Sequence, residues 1–184
     1  CREQRFERQR KMGAVSRNWK LSPRPANVRD WDREPHKQWQ AERMAVYAAQ
    51  VESIDRGLGR LLKLIDEAGE RDNTLVMFLS DNGAALDGGL SPSSSGFGFS
   101  PQAKNDQWRL DRVAIRPGSG PDNPPGPHDT FAGYGLAWAT VSNTPLRGAK
   151  ISGYEGGIRT PLVVRWPAVI RQRGAWTSQV GHVI

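Results

Sequence analysis

Cysteine is almost absent: one residue, Cys1, stands among 184. A single thiol excludes an internal disulfide and any multi-cysteine metal site. Histidine is scarce too, and the three present, His36, His128 and His182, have no metal-ligand spacing to one another. Each reads as an ordinary histidine, with His128 the one whose loop could face a site. No stretch approaches the roughly 18 consecutive apolar residues of a membrane span. The opening Cys1-Arg2-Glu3-Gln4-Arg5 has no apolar signal-peptide core. An initiator Met is missing, and the last residues are the apolar Val183-Ile184. The sequence is therefore expected to be a piece of a longer chain, and it leaves the compartment and oligomeric state of the whole open.

Of what is present, a hydrophobic share of 37% and a charged share of 24% suit one soluble domain with a core. The 13 prolines and 20 glycines gather in two stretches, which marks long loops. The formal net charge is +7, and residues 1–37 hold eleven Lys/Arg against five Asp/Glu. Such a run could bind nucleic acid or a sulfated or phosphorylated substrate. It is read here as a solvated basic arm, because no nucleic-acid motif accompanies it and charge runs are usually solvated faces. Nucleic acid is not an expected partner.

Residues 1–36 form this arm or excursion, with a short helix expected at 2–12. Residues 37–184 are expected to be the C-terminal part of one catalytic domain. From about His36 to Ala68, Met44, Tyr47, Ala48, Val51, Ile54, Leu58, Leu61, Leu62 and Ile65 recur at steps of three and four, which predicts a long amphipathic helix ending at Gly69. Gly57 and Gly59 inside it cost stability relative to Ala, so close packing or a bend is expected there. Thr74-Leu75-Val76-Met77-Phe78-Leu79-Ser80 then reads as a strand buried on both faces, as in a parallel sheet. Residues 84–135, rich in Gly, Ser, Pro and Asp, form a long loop expected partly to overhang a site. Leu162-Val163-Val164-Arg165-Trp166 predicts a second strand of the same sheet. The fold class is α/β.

Asp81-Asn82-Gly83 ends the first strand, and the carboxyl ends of strands in open α/β sheets are where ligands sit. On its own the tripeptide is a common turn. At a strand end, its carboxylate and amide oxygen suit a hard cation such as Ca²⁺, although such an ion takes six to eight oxygens and other segments must supply the rest. Most lysines are solvated, but Lys150 lies between Arg147-Gly148 and Glu155-Gly156-Gly157. Glycines allow close approaches, so this loop could hold one cation against a bound anion. At about 4 Å and an effective dielectric near 20, one such charge pair is worth roughly 4 kcal/mol before desolvation.

Four segments in order carry a family resemblance: Val51-Glu52-Ser53-Ile54-Asp55-Arg56-Gly57-Leu58-Gly59-Arg60, Asn73-Thr74-Leu75 through Ser80-Asp81-Asn82-Gly83, Leu146-Arg147-Gly148-Ala149-Lys150, and Tyr154-Glu155-Gly156-Gly157-Ile158-Arg159-Thr160-Pro161. Together they resemble the type I sulfatases of the alkaline phosphatase superfamily. Tyr134 to Ala139 and Ser142-Asn143-Thr144-Pro145 are similar to the bacterial arylsulfatase branch. The resemblance covers residues 40–184 well and implies part of an alkaline-phosphatase-like sandwich, an incomplete domain with a largely parallel sheet flanked by helices. It implies that Asp81 and Asn82 are calcium ligands and that Lys150 contacts both the sulfate and the bridging oxygen of a sulfate-ester substrate. Glu155-Gly156-Gly157 would position the loop, and Arg159 would have no catalytic role. A periplasmic or secreted parent is implied as well.

The family's nucleophile is a cysteine in a Cys-x-Pro/Ala-x-Arg motif, converted to formylglycine. Cys1 has Glu3 where Pro or Ala belongs, so it reads as an ordinary thiol despite Arg5 at the arginine position. The family's paired acidic ligands and its upstream Lys and His also lack counterparts. The chain alone is expected to be inactive, with the nucleophile supplied by upstream sequence. Two other functions stay open, a phosphonate monoesterase or phosphodiesterase of the same superfamily and a non-catalytic anion-binding module. The seven tryptophans read as core and loop anchors, with Trp108 and Trp138 the candidates for a sugar-stacking platform.

Overall fold

The computed structural model describes residues 1–86, 111–114, 116, 120–130 and 133–181. Its elements are α1 (Arg2–Lys11), a 3₁₀ turn (Trp31–Arg33), α2 (Lys37–Glu67), β1 (Val76–Leu79), α3 (Gly135–Ser142), α4 (Glu155–Ile158) and β2 (Leu162–Arg165). The short N-terminal helix is thus present. Glu3 lies in the first turn of α1, and Arg8, Arg10 and Lys11 lie in the last, each on the side the helix dipole favours. Phe6 is the residue α1 buries.

The long helix follows the apolar period. Its 31 residues extend over about 46 Å at 1.5 Å per residue. Gly69, at φ +76°, ends it in the left-handed conformation that glycine adopts without strain, while Glu70 N–H donates to the Ile65 carbonyl. Gly57 and Gly59 do not mark the close packing expected of them: among the described residues, no atom lies within 4 Å of where a Cβ would stand at either.

Both predicted strands are present and paired with each other. Their direction and burial correct the expectation. β1 and β2 run antiparallel, with Val76 opposite Arg165 and Leu79 opposite Leu162. The expected largely parallel sheet is therefore not found among the described strands. Nor is β1 buried on both faces, since Met77 is 57% exposed and Phe78 47%, and Val163 on β2 is 59% exposed. An apolar run encodes burial potential but no strand direction. Mixed sheets often carry one antiparallel strand, and no described element covers either face of this pair.

The chain divides into two compact units. The first comprises Cys1–Arg24, Arg56–Ala84 and Thr140–Ile184. Here the basic N-terminal segment, most of it exposed, is tied by hydrogen bonds to the segment after α3. Gln9 Nε2 donates to the Thr144 carbonyl at 2.9 Å, and Ser22 donates through N to Pro145 and through Oγ to Leu146, both at 3.0 Å. Arg2 donates in turn to Ser22 Oγ at 2.8 Å. Buried residues of this unit are small or polar apart from Phe6: Ala149, Thr140 and Thr144 are at most 6% exposed.

The second unit comprises Pro25–Asp55 and Ala85–Ala139. Arg43 is its buried cation, 7% exposed, donating through Nε to the Gly133 carbonyl at 2.7 Å and stacking on the Trp39 ring at 4.3 Å. Burial lowers its pKa, and the Glu34 carboxylate works against that shift. Trp138 donates Nε1–H to the Gln40 carbonyl at 2.9 Å and packs against Trp31 at a 5.7 Å centroid separation. Arg116 forks onto Asp129 at 2.8 and 3.1 Å.

Candidate functional site

The turn Ser80-Asp81-Asn82-Gly83 follows directly on β1, inside the first unit. Ser80 Oγ donates to the Asn82 carbonyl at 3.0 Å, and the Ser80 carbonyl accepts Thr160 Oγ1 at 2.7 Å. Thr160 leads into β2, so the strand pair and the turn are tied at one end. Asp81 is exposed, Asn82 half-buried and Gly83 buried. Gly83 N–H donates to the Gly157 carbonyl at 2.9 Å. A Cβ on Gly83 would overlap the Gly156 carbonyl, so no other residue fits without moving backbone.

The lysine loop is built by the same kind of close approach. Gly148 has φ +87°, and a Cβ there would run into Ser152 Oγ and the Tyr154 side chain. Gly156 and Gly157 are buried against the carbonyls of Arg147, Gly148, Ala149 and Ser152, which leave no room for a Cβ. Gly156 N–H donates to the Arg147 carbonyl at 2.7 Å. Ser152 Oγ donates to the Ala149 carbonyl at 2.7 Å and accepts the Ala149 N–H at 3.2 Å. Ile151, next to Lys150, has φ +78°, an unfavourable conformation for a β-branched residue that its surroundings must impose. The glycines around Lys150 thus make the tight loop the sequence suggests.

Further hydrogen bonds join turn and loop, one directly and two through a bridging side chain. Lys150 N–H donates to the Ala84 carbonyl at 2.9 Å, two residues beyond Asn82. Ala84 N–H donates to Asn143 Oδ1 at 3.0 Å, while Asn143 Nδ2 donates to the Gly148 carbonyl at 3.0 Å. Asn143 therefore bridges the segment after Asp81-Asn82 and the segment before Lys150, a role the sequence reading did not give it. Its signal was available: a residue with one donor and one acceptor arm, just after α3, in the Ser142-Asn143-Thr144-Pro145 segment. Buried Thr144 anchors the same corner, donating Oγ1–H to the Val141 carbonyl at 2.7 Å.

The cationic side chains nearby are partly committed. Arg147 lies 4.1 Å over the Tyr154 ring. Arg159 lies 4.6 Å over the Trp19 ring and pairs with Glu155 at 3.4 Å. The Asp81 carboxylate and the half-buried Lys150 ammonium make no hydrogen bond or ion pair among the described residues. Asp81 and Asn82 bring two oxygen donors of the hard type to one strand end. No group of three or more His, Cys, Asp or Glu able to hold a metal ion occurs among the described residues, so the two oxygens are a partial donor set.

The remaining candidates take no part in these hydrogen bonds. Cys1 is an exposed free thiol at the start of α1. His36 donates its backbone N–H to Glu34 Oε1 ahead of α2, and His128 is an exposed residue of the other unit. Trp138 is a packing anchor through Gln40 and Trp31, not a free stacking face. His182, Trp108 and most of the 84–135 loop lie outside the described residues.

Comparison with known proteins adds a second line of argument. The sulfatase family model matches residues 11–183. An uncharacterized sulfatase of Schizosaccharomyces pombe is 31% identical over 175 residues, covering 92% of this chain and 29% of that protein. An arylsulfatase of Klebsiella aerogenes is 30% identical over 171 residues, 91% of this chain and 33% of its own length. A steryl-sulfatase of Mus musculus is 30% identical over 121 residues, 66% of this chain and 12% of its own. The chain spans about a third of the length of the first two relatives.

Proposed function

The chain belongs to the sulfatase family, and on that premise we propose that it contributes part of a site at which a longer protein hydrolyses sulfuric esters. The observation that supports this reading is the Lys150 N–H to Ala84 carbonyl bond, which ties the lysine loop to the Asp81-Asn82-Gly83 turn. In this reading Lys150 offers its ammonium to the sulfate group and to the bridging oxygen, where negative charge develops as the S–O bond breaks. Asp81 and Asn82 offer oxygen ligands to Ca²⁺, and the ion, when bound, neutralises sulfate oxygens as a Lewis acid. Asn143 keeps the two segments in register through Ala84 and Gly148. The formylglycine nucleophile has no counterpart in residues 1–184, where the one cysteine is Cys1 with Glu3 at the Pro/Ala position. This chain therefore supplies anion and metal contacts, and other sequence supplies the attacking group.

The test uses the longer protein carrying this sequence. Lys150→Ala is expected to lower kcat for an aryl sulfate ester by about 10²- to 10³-fold, the usual cost of removing one charge-stabilising donor. Unchanged kcat would remove Lys150 from the mechanism. Parallel assays with a phosphonate monoester and a phosphodiester separate this reading from the neighbouring activities of the superfamily, because sulfate ester must be the preferred substrate.

A further inference from the structure

At the other end of the strand pair from Asp81, beside Val76 and Arg165, the first unit has a cleft of about 340 Å³. The length of β1 separates the two ends, roughly 13 Å at 3.3 Å per residue. Arg71, Asp72, Arg165, Trp166, Gln172 and Arg173 supply the cleft's polar lining. Its walls are tied together: Ala168 N–H donates to the Asp72 carbonyl at 2.9 Å, and Arg165 donates to the Arg71 carbonyl at 3.2 Å. Ile170 N–H closes the turn after β2 on the Trp166 carbonyl at 2.7 Å.

The chemistry of the lining is strongly one-sided. The lining holds three arginines and one acidic residue, Asp72, a local charge of about +2 by side-chain inventory. Arg71 has one outside partner, Asp66 at 3.5 Å, but at 65% and 40% side-chain exposure that pair is too solvated to neutralise it. The Trp166 indole N–H is buried and has no acceptor among the described residues. A buried donor without a partner is costly, and an incoming acceptor would relieve that cost. Three arginines, a glutamine and a tryptophan thus line a cleft of ligand size, all of them residue types that carry hydrogen-bond donors.

We propose that this cleft binds a tetrahedral oxyanion, a sulfate or phosphate group, at a site separate from the Asp81 and Lys150 corner. Guanidiniums of Arg165 and Arg173 hold two of its oxygens, and the indole N–H of Trp166 can serve a third. The group can arrive as the free ion or as one substituent of a sulfated polymer. In the second case the cleft is an outlying subsite that retains a polyanionic chain.

The experiment titrates the ¹⁵N-labelled 184-residue chain with sodium sulfate at constant ionic strength, reading the indole N–H signal that Trp166→Phe removes. A saturable shift is expected. Arg173→Gln, on the exposed segment after the cleft's turn, should weaken the apparent affinity about tenfold, as expected for one charge-assisted hydrogen bond. Arg165→Gln should do the same, and Lys150→Ala should leave the curve where it is. That last variant separates this site from the proposed catalytic anion site, so the two readings can fail independently. Dextran sulfate shifting the same signal, in competition with inorganic sulfate, identifies polymer-borne groups as ligands, and a response to the inorganic ion alone identifies the free ion. The proposal is overturned if sodium chloride reproduces the shift at equal ionic strength, or if the Arg173→Gln curve coincides with that of the parent chain.

Discussion

Asn143 shows what a single side chain does for this corner. Its amide satisfies a donor on one segment and an acceptor on another, at 3.0 Å each, and both are backbone groups flanking the candidate site residues. Asn143→Ala leaves both unpaired in a partly buried place, which should destabilise the chain by about 1–3 kcal/mol in a urea melt. In the longer protein it should also lower kcat, since Lys150 loses the register with Ala84; a loss of stability with kcat intact would confine Asn143 to the fold. Asp129 gives a prediction that depends on pH. The Arg116 fork holds its carboxyl below the ordinary carboxylate range, with lesser help from the charges of Arg116 and His128. A depressed carboxylate stabilises the folded state above its unfolded pKa, and that contribution disappears as pH falls through the folded value. Arg116→Gln should therefore raise the Asp129 titration midpoint by NMR and flatten the acid limb of the stability curve. Asp81, Asn82 and Lys150 stand in recognisable runs, and hydrogen bonds join the segments that carry them. Asn143 offered a two-armed amide just after α3, but its bridging role needs Ala84, 59 residues away, as well as the nearby Gly148, and no local pattern encodes the distant partner.

The elements were read unevenly for physical reasons. The period of α2 from Met44 to Ile65 is long enough to identify a helix, and Gly69 ends it through its left-handed φ. The strands were visible as apolar runs, Val76–Leu79 and Leu162–Arg165, yet their antiparallel pairing was not. Direction depends on the path of the chain between Leu79 and Leu162, and alternation carries no trace of it. The two helix glycines also misled, since a glycine inside a helix suggests a close neighbour and here there is none among the described residues. With open space at both positions, Gly57→Ala and Gly59→Ala should each stabilise the chain by about 0.5–1 kcal/mol, seen as a higher urea midpoint at unchanged slope. A loss of stability from either change would reveal a close partner for α2.

At the scale of the whole molecule, the chain is a framework with little burial. Among the described residues no large side chain is fully buried, and both strands expose apolar groups on their faces. A two-stranded sheet is marginal by itself in water. The chain also spans about a third of two sulfatase relatives, so the site it contributes to is expected to need ligands from further sequence. This leads to a joint expectation for metal and catalysis. Asp81 and Asn82 give two oxygens where Ca²⁺ takes six to eight, so water must fill the other positions and affinity should be weak, about millimolar or poorer. No described helix is long and apolar enough to cross a membrane. Calorimetric titration should find weak Ca²⁺ binding that Asp81→Ala abolishes, and an aryl sulfate assay should find no turnover. Tight binding would mean that the ligand set is nearly complete within these 184 residues. Turnover would mean that the nucleophile is here as well, with Cys1 the first residue to test by substitution with Ser, because it is the one thiol in the sequence.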